Sequence, residues 1–182
     1  MGQRGMNIKI IPKFTIDITV RELMLSKKPI SSGNKIIKVR EITVGYNPRI
    51  TRKPTIICSI DAYVLFLDFF PKQTIQLQER VAVMYLNQAQ KVLGIYLLSI
   101  GGMTTAIADI RLIFSVALKT AATGIMIAHN HPTGSLKPSQ TDIYFTNKVK
   151  EAGQLLDIKL HDHFIITSAD KKYFSFSDEG LI

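Results

Sequence analysis

Two histidines one residue apart stand in the stretch Ala128-His129-Asn130-His131-Pro132-Thr133-Gly134, and Pro138-Ser139-Gln140-Thr141-Asp142 follows it. Side chains alternate along extended backbone, so His129 and His131 project to the same side. Asp142, in the first turn of a following helix, can swing in as a third ligand. Two imidazoles, a carboxylate and one open position make the ligand set of a catalytic zinc ion (Zn2+) rather than a structural one. A second reading stays open at this point. The histidines can cap backbone groups at a turn, and Ser139-x-x-Asp142 after a proline is also a capping box serving a helix N-terminus. The histidine pair does not belong to a His-Glu-x-x-His motif, so a general base has to come from elsewhere. Glu79, at the start of an alternating stretch, is the candidate, with a long carboxylate able to reach an attacking water. Asp162 is its rival, and Glu151 reads as solvent-facing. Ser139 is placed to donate a hydrogen bond toward an oxyanion. His161 and His163 repeat the His-x-His spacing, and are expected to back the site or fill a polar pocket rather than to ligate.

These residues need elements to hold them. Ile125–Ala128 is wholly apolar and reads as a short central strand ending at His129. Ser59 can cap a helix running to about Phe70, with Ile60, Val64 and Leu67 on one face. Glu79–Leu86 alternates, Asn87-Gln88-Ala89-Gln90 reads as a turn, and Lys91–Ile100 as the partner strand of a hairpin. Asp109 can cap a helix whose apolar stripe runs through Ile110, Ile113, Phe114, Ala117, Leu118 and Ala121, with Gly124 placed to end it. A third helix, from Gln140 to about Leu156, shows Phe145, Val149, Ala152 and Leu156 at helical spacing. Ile158–Thr167 and Tyr173–Phe176 read as further strands. Ahead of these, Lys35–Tyr46 is β-branched enough for an edge strand, and Lys27-Lys28-Pro29 and Ser31-Ser32-Gly33-Asn34 read as linker or turn. The interleaving of β and α with a hairpin inside argues for one α/β domain over a mixed sheet. It spans residues 35–182, behind a basic extension over residues 1–34.

The chain of 182 residues, 46 % hydrophobic, is long enough for a proper core. No apolar run is long enough to span a bilayer, so no membrane association is expected, and the N-terminus lacks the pattern of a secretory leader. A single cysteine, Cys58, excludes internal disulfides and any cysteine-based zinc cluster, and fits a reducing, cytoplasmic setting. It also argues against a nucleobase deaminase, which needs two or three cysteines and a His-x-Glu motif where this chain has His131. The net charge of +9, loaded onto the first third, supplies sequence-independent attraction to phosphate. DNA is therefore the alternative partner.

His129-Asn130-His131-Pro132 followed by Ser139-Gln140-Thr141-Asp142 resembles the JAMM motif of JAB/MPN-type metallohydrolases. More narrowly, the stretch from Ala128 through His161-Asp162-His163 to Thr167 is similar to the RadC family, as are the blocks Glu79–Gly102 and Asp109–Pro132. The resemblance runs from about Ile60 to Ile182, and Met1–Asn34 takes no part in it. It implies a cytidine-deaminase-like fold, a mixed sheet with helices on both sides. It assigns metal ligands at His129, His131 and Asp142, the catalytic acid/base at Glu79 and oxyanion support at Ser139. The reaction implied is hydrolysis of a peptide or isopeptide by a metal-activated water. The "DNA repair" label attached to RadC proteins implies the alternative, a DNA-associated module whose metal centre is structural. The helix-hairpin-helix segment that longer members carry is not recognisable ahead of this JAB-like part.

Overall fold

The computed structural model describes residues 53–102, 108–167 and 172–182, and the backbone of two further strands, β1 (Ile18–Glu22) and β2 (Arg40–Val44). Two compact units are distinguished, residues 15–49 and the unit that holds residues 50–182. In the first, β1 and β2 pair antiparallel with Val20 opposite Ile42; β2 lies within Lys35–Tyr46, expected to be an edge strand, and β1 lies within residues 1–34. The expected boundary at residue 34 and both linker stretches before it lie outside the described residues.

The larger unit follows the order α1 (Ser59–Phe69), β3 (Arg80–Leu86), β4 (Val92–Ile100), α2 (Ile110–Lys119), β5 (Gly124–Asn130), α3 (Gln140–Leu155), β6 (Lys159–Ile166) and β7 (Tyr173–Ser175). Five strands form one mixed sheet in the order β4-β3-β5-β6-β7, with β5 at its centre. β3 runs antiparallel to both β4 and β5, β5 and β6 are parallel, and β7 returns antiparallel to β6. The α/β architecture read from the sequence is the one observed. Asn87 closes the β3–β4 hairpin by accepting the Ala89 and Lys91 N–H groups on its side-chain oxygen, the local bonding that makes asparagine a turn residue.

Both faces of the sheet are covered, which is why every residue of β3 and β5 is buried. One face carries Ala82, Met84, Leu86, Met126, Ala128, Phe164 and Ile166, packed against Tyr63, Phe66 and Phe70 at α1. The opposite face of β5 presents Ile125, Ile127 and His129. Over it lie α2, whose Ile113 carbonyl accepts from the Tyr85 hydroxyl at 3.2 Å, and α3, seated against β6.

Five local expectations are corrected. Cys58, not Ser59, is the N-cap of α1, and Asp61 accepts the Ile57 and Cys58 N–H groups. That helix is apolar nearly all round, so its period does not choose a side. The sheet takes the aromatic face, and Ile60 and Val64 are exposed. Leu118, assigned to the buried stripe of α2, is exposed as well. Gly124 does not end α2, which stops at Thr120, followed by Ala121 with φ of 51°. Gly124 opens β5 instead, where a Cβ would run into His161. In α3 the buried positions are Thr146, Val149 and Gly153, one residue round from the Phe145–Ala152–Leu156 stripe, and Leu156 is exposed. Gly153 sets that rotation, since a Cβ there would meet the Ile158 carbonyl.

Candidate metal centre

The site is assembled by strand register. β3 and β5 pair with Val81 opposite His129, so Glu79, two residues before Val81, and His131, two residues after His129, are carried to the same end of the strand pair. Glu79 sits just before β3 and is fixed by backbone bonds on both sides, its N–H to Gly102 O at 3.1 Å and its carbonyl to Gly101 N at 2.8 Å. Ligand atoms of Glu79, His129 and His131 all lie within 4.8 Å of one another, a group able to hold a metal ion. Asp142 approaches from the first turn of α3. Its Oδ1 is 3.3 Å from His129 Nε2 and its Oδ2 is 3.7 Å from His131 Nε2. The five residues singled out from the sequence are thus brought to one place, with Ser139 at the N-cap of α3.

The donor set fits a cation. His129 Nε2 and His131 Nε2 face each other at 2.9 Å. His131 Nδ1 is 2.8 Å from the Ser135 carbonyl, which can only accept, so Nδ1 carries a proton and Nε2 is the nitrogen turned to the centre. Gly134, at φ of +82°, completes the turn that brings Ser135 back, with its N–H on His131 O at 3.0 Å. Burial pushes the pKa of His129 down to about 4; the carboxylate of Asp142 opposes the shift and His131 adds to it. The ring is therefore neutral near pH 7, and its contact with Asp142 is no ion pair. Two imidazole nitrogens and two carboxylates converge at one point, a donor set that suits a divalent cation.

Asp142 caps α3 and also faces the two histidines. Ser139 N and Ser139 Oγ donate to its Oδ2 at 2.7 and 2.6 Å, and Asp142 N donates to Ser139 Oγ at 3.1 Å. This capping box leaves Oδ1 turned to His129. Glu151 is exposed on α3. Asp162 is buried and takes no part in the cluster. It accepts from His163 N, Ser177 N and Ser175 Oγ, and burial raises its pKa. His161 lies beside Gln90, with Nε2 to Nε2 at 3.4 Å. His163 stands behind the site, with its Nε2 2.8 Å from His129 Nδ1 and its ring stacked on Phe176.

Asn130 and Thr146 were missed. Alternation turns Asn130 away from its two histidine neighbours, onto the α1 face. There its Nδ2 donates to Ile75 O and Gln78 O, at 2.6 and 2.9 Å, and its Oδ1 accepts Arg80 N at 2.8 Å. The residue between the histidines thereby clasps the segment that delivers Glu79. Thr146 lies one helical turn after Asp142, bonded to the Asp142 carbonyl and to His163. Its signal in the sequence was the four-residue step from a ligand candidate.

Two clefts meet at the centre, and Glu79 and Asp142 line both. One, of about 340 Å³, is walled by Val81, Ile110 and Phe145, with Lys148 poised over the Tyr144 ring. The other, of about 290 Å³, runs beside His131, Thr133, Lys137 and Ser139.

Comparison with known proteins places this geometry in a family. The RadC-like JAB domain family matches residues 56–181. A UPF0758 protein of Flavobacterium johnsoniae is 48 % identical over 103 residues, 57 % of this chain and 44 % of that protein. One of Porphyromonas gingivalis is 46 % identical over 105 residues, 58 % of this chain and 46 % of that protein. The matched stretch is thus under half the length of either relative. A UPF0758 protein of Chlorobium chlorochromatii is 30 % identical over 180 residues, covering 95 % of this chain and 78 % of its own length. That alignment takes in most of Met1–Asn34, which sequence reading left without a resemblance. Matched over residues 56–181, a range that holds the whole centre, the chain belongs to the RadC-like JAB domain family.

Proposed function

We propose that this protein is a zinc-dependent hydrolase of amide bonds, acting on a peptide or isopeptide. The observation that carries the reading is the convergence of Glu79 with His129 and His131 beside Asp142. His129, His131 and Asp142 would hold the ion. Bound there, zinc supplies a lowered pKa for a water and polarisation of the scissile carbonyl. Glu79, fixed by its backbone to Gly101 and Gly102, takes the proton of the attacking water and returns it to the leaving amine. Ser139 has one hydroxyl proton, which it gives to Asp142 Oδ2. It serves the substrate's oxyanion by releasing that bond while its own N–H keeps hold of the same oxygen. The two clefts give an extended chain a place on either side of the scissile bond. The single cysteine agrees with a reducing, cytoplasmic setting.

The test is metal analysis of protein purified without chelator, together with cleavage of peptide and isopeptide panels. Glu79→Gln is expected to keep the ion and lose about 10²–10⁴-fold in kcat. Protein that holds no metal, together with an unimpaired Glu79→Gln variant, would overturn the reading. A DNA-associated role with a structural metal centre is supported by the net charge of +9. It requires salt-dependent DNA binding that survives His129→Ala.

A further inference from the structure

Behind the centre runs a chain of buried polar contacts that begins at one ligand and ends on the backbone of another. Thr146 Oγ1 lies 2.6 Å from the Asp142 carbonyl oxygen. Two oxygens that close need a proton between them, and a carbonyl has none to give, so the threonine proton is committed to Asp142. Thr146 Oγ1 is also 2.7 Å from His163 Nδ1. With its proton already used, the hydroxyl accepts there, and His163 carries hydrogen on Nδ1. The other nitrogen of that neutral ring, Nε2, is then a bare acceptor 2.8 Å from His129 Nδ1. It takes the His129 Nδ1 proton and leaves His129 Nε2 as a lone pair facing His131 and Asp142. His129, Thr146 and His163 are each 1 or 2 % exposed, so bulk water has little access to these bonds. Phe176 stacked on the His163 ring at 14° holds its plane.

The geometry points to Thr146 and His163 as positioning residues that write the tautomer of His129. The threonine proton, fixed by the Asp142 carbonyl, determines through two rings that the ligand nitrogen of His129 is unprotonated. The same hydroxyl ties that choice to the helix turn that delivers Asp142. In its consequence for metal affinity this rests on the proposed metal centre. Without the threonine hydroxyl, the His163 Nδ1 proton has no acceptor, and the ring is stabilised in the other tautomer. His163 Nε2–H then donates to His129 Nδ1, His129 is forced to carry its proton on Nε2, and the ligand position is blocked.

Thr146→Val keeps the shape and removes both bonds; Thr146→Ser keeps them. Zn2+ affinity, measured by competition against a chromogenic chelator, is expected to fall about 10–100-fold in the valine variant and to return in the serine variant. Circular dichroism and a thermal midpoint taken with chelator report whether the valine variant folds. The second measurement needs no variant. Histidine ¹⁵N spectra of the chelated wild-type protein are expected to show His129 protonated on Nδ1 and bare on Nε2. A folded Thr146→Val protein that binds Zn2+ as the wild type does, or a wild-type His129 protonated on Nε2, would overturn the inference. Wild-type protein that takes up no Zn2+ while showing the stated tautomers overturns the metal reading alone and leaves the relay standing.

Discussion

Asn130 stands between the two candidate ligand histidines and does different work from either. It joins the ligand strand to the segment before β3 through the carbonyls of Ile75 and Gln78 and the N–H of Arg80. Asn130→Ala leaves those buried groups without partners, at a cost on the order of 3 kcal/mol. The expected functional signature is selective. Zinc content stays near that of the wild type, because no ligand is touched, while kcat falls at least tenfold as Glu79 loses its fixed place. Metal analysis beside kcat/KM separates the two, and equal loss of metal and activity would count against a role through Glu79. The residues legible in the sequence were those whose own chemistry is conspicuous, namely the histidines, the helix-start acid and serine, and a glutamate at the head of an alternating strand. Asn130, Thr146 and the placing of His163 behind His129 depend on which face each strand turns to which helix. Alternation shows that two residues differ in face, and only the register of β5 against β3 and β6 says what each face meets.

At the scale of elements, the strands were read more closely than the helix faces, for a physical reason. A buried strand is marked by its whole composition, whereas a helix is placed by its stripe, and α1 offers apolar residues on every side. The buried face of α3 lies one residue round from its apolar spacing because Gly153, with no side chain, adds nothing to a hydrophobic pattern. Its lack of a side chain is what lets the helix seat against the Ile158 carbonyl. Gly153→Ala therefore opposes two effects. Helix propensity favours alanine by about 1 kcal/mol, while the new Cβ runs into backbone that cannot turn aside, an overpacking cost of about 1–3 kcal/mol. The net expectation is a lower thermal midpoint. Gly124→Ala is the comparison, since its Cβ meets the His161 side chain, which has rotamers to use. Gly153→Ala is expected to be the more destabilising of the two in denaturant titration, and the reverse order would show that α3 can slide on β6.

For the molecule as a whole, the centre gathers buried His129 with half-buried Glu79, His131 and Asp142, and its state should be readable in global stability. An ion bound only by the folded protein stabilises it by about 2.7 kcal/mol when free metal is a hundredfold above its Kd. Chelation is therefore expected to lower the unfolding midpoint of the wild type and to leave His131→Ala unmoved. The chelated protein then shows what the empty ligands cost in acid. His129 is pushed down to about 4 from an ordinary value of 6.5, chiefly by burial, and His163 is lowered by the same cause. In both, the unfolded chain binds the proton more readily than the folded one. Their contribution is thus fully present above pH 6.5 and is lost as pH falls through the folded values. For His129 alone the window runs from about 6.5 to 4, and the loss is on the order of 3 kcal/mol. Unfolding free energy of the chelated wild type should fall across that window, with a shallower slope in His129→Gln. With zinc present the fall should begin at lower pH, because protons must displace the ion before they reach His129. A chelated wild type whose stability is flat from pH 6.5 to 4 would mean that His129 meets water in solution, and that the centre is more open than its burial in β5 describes.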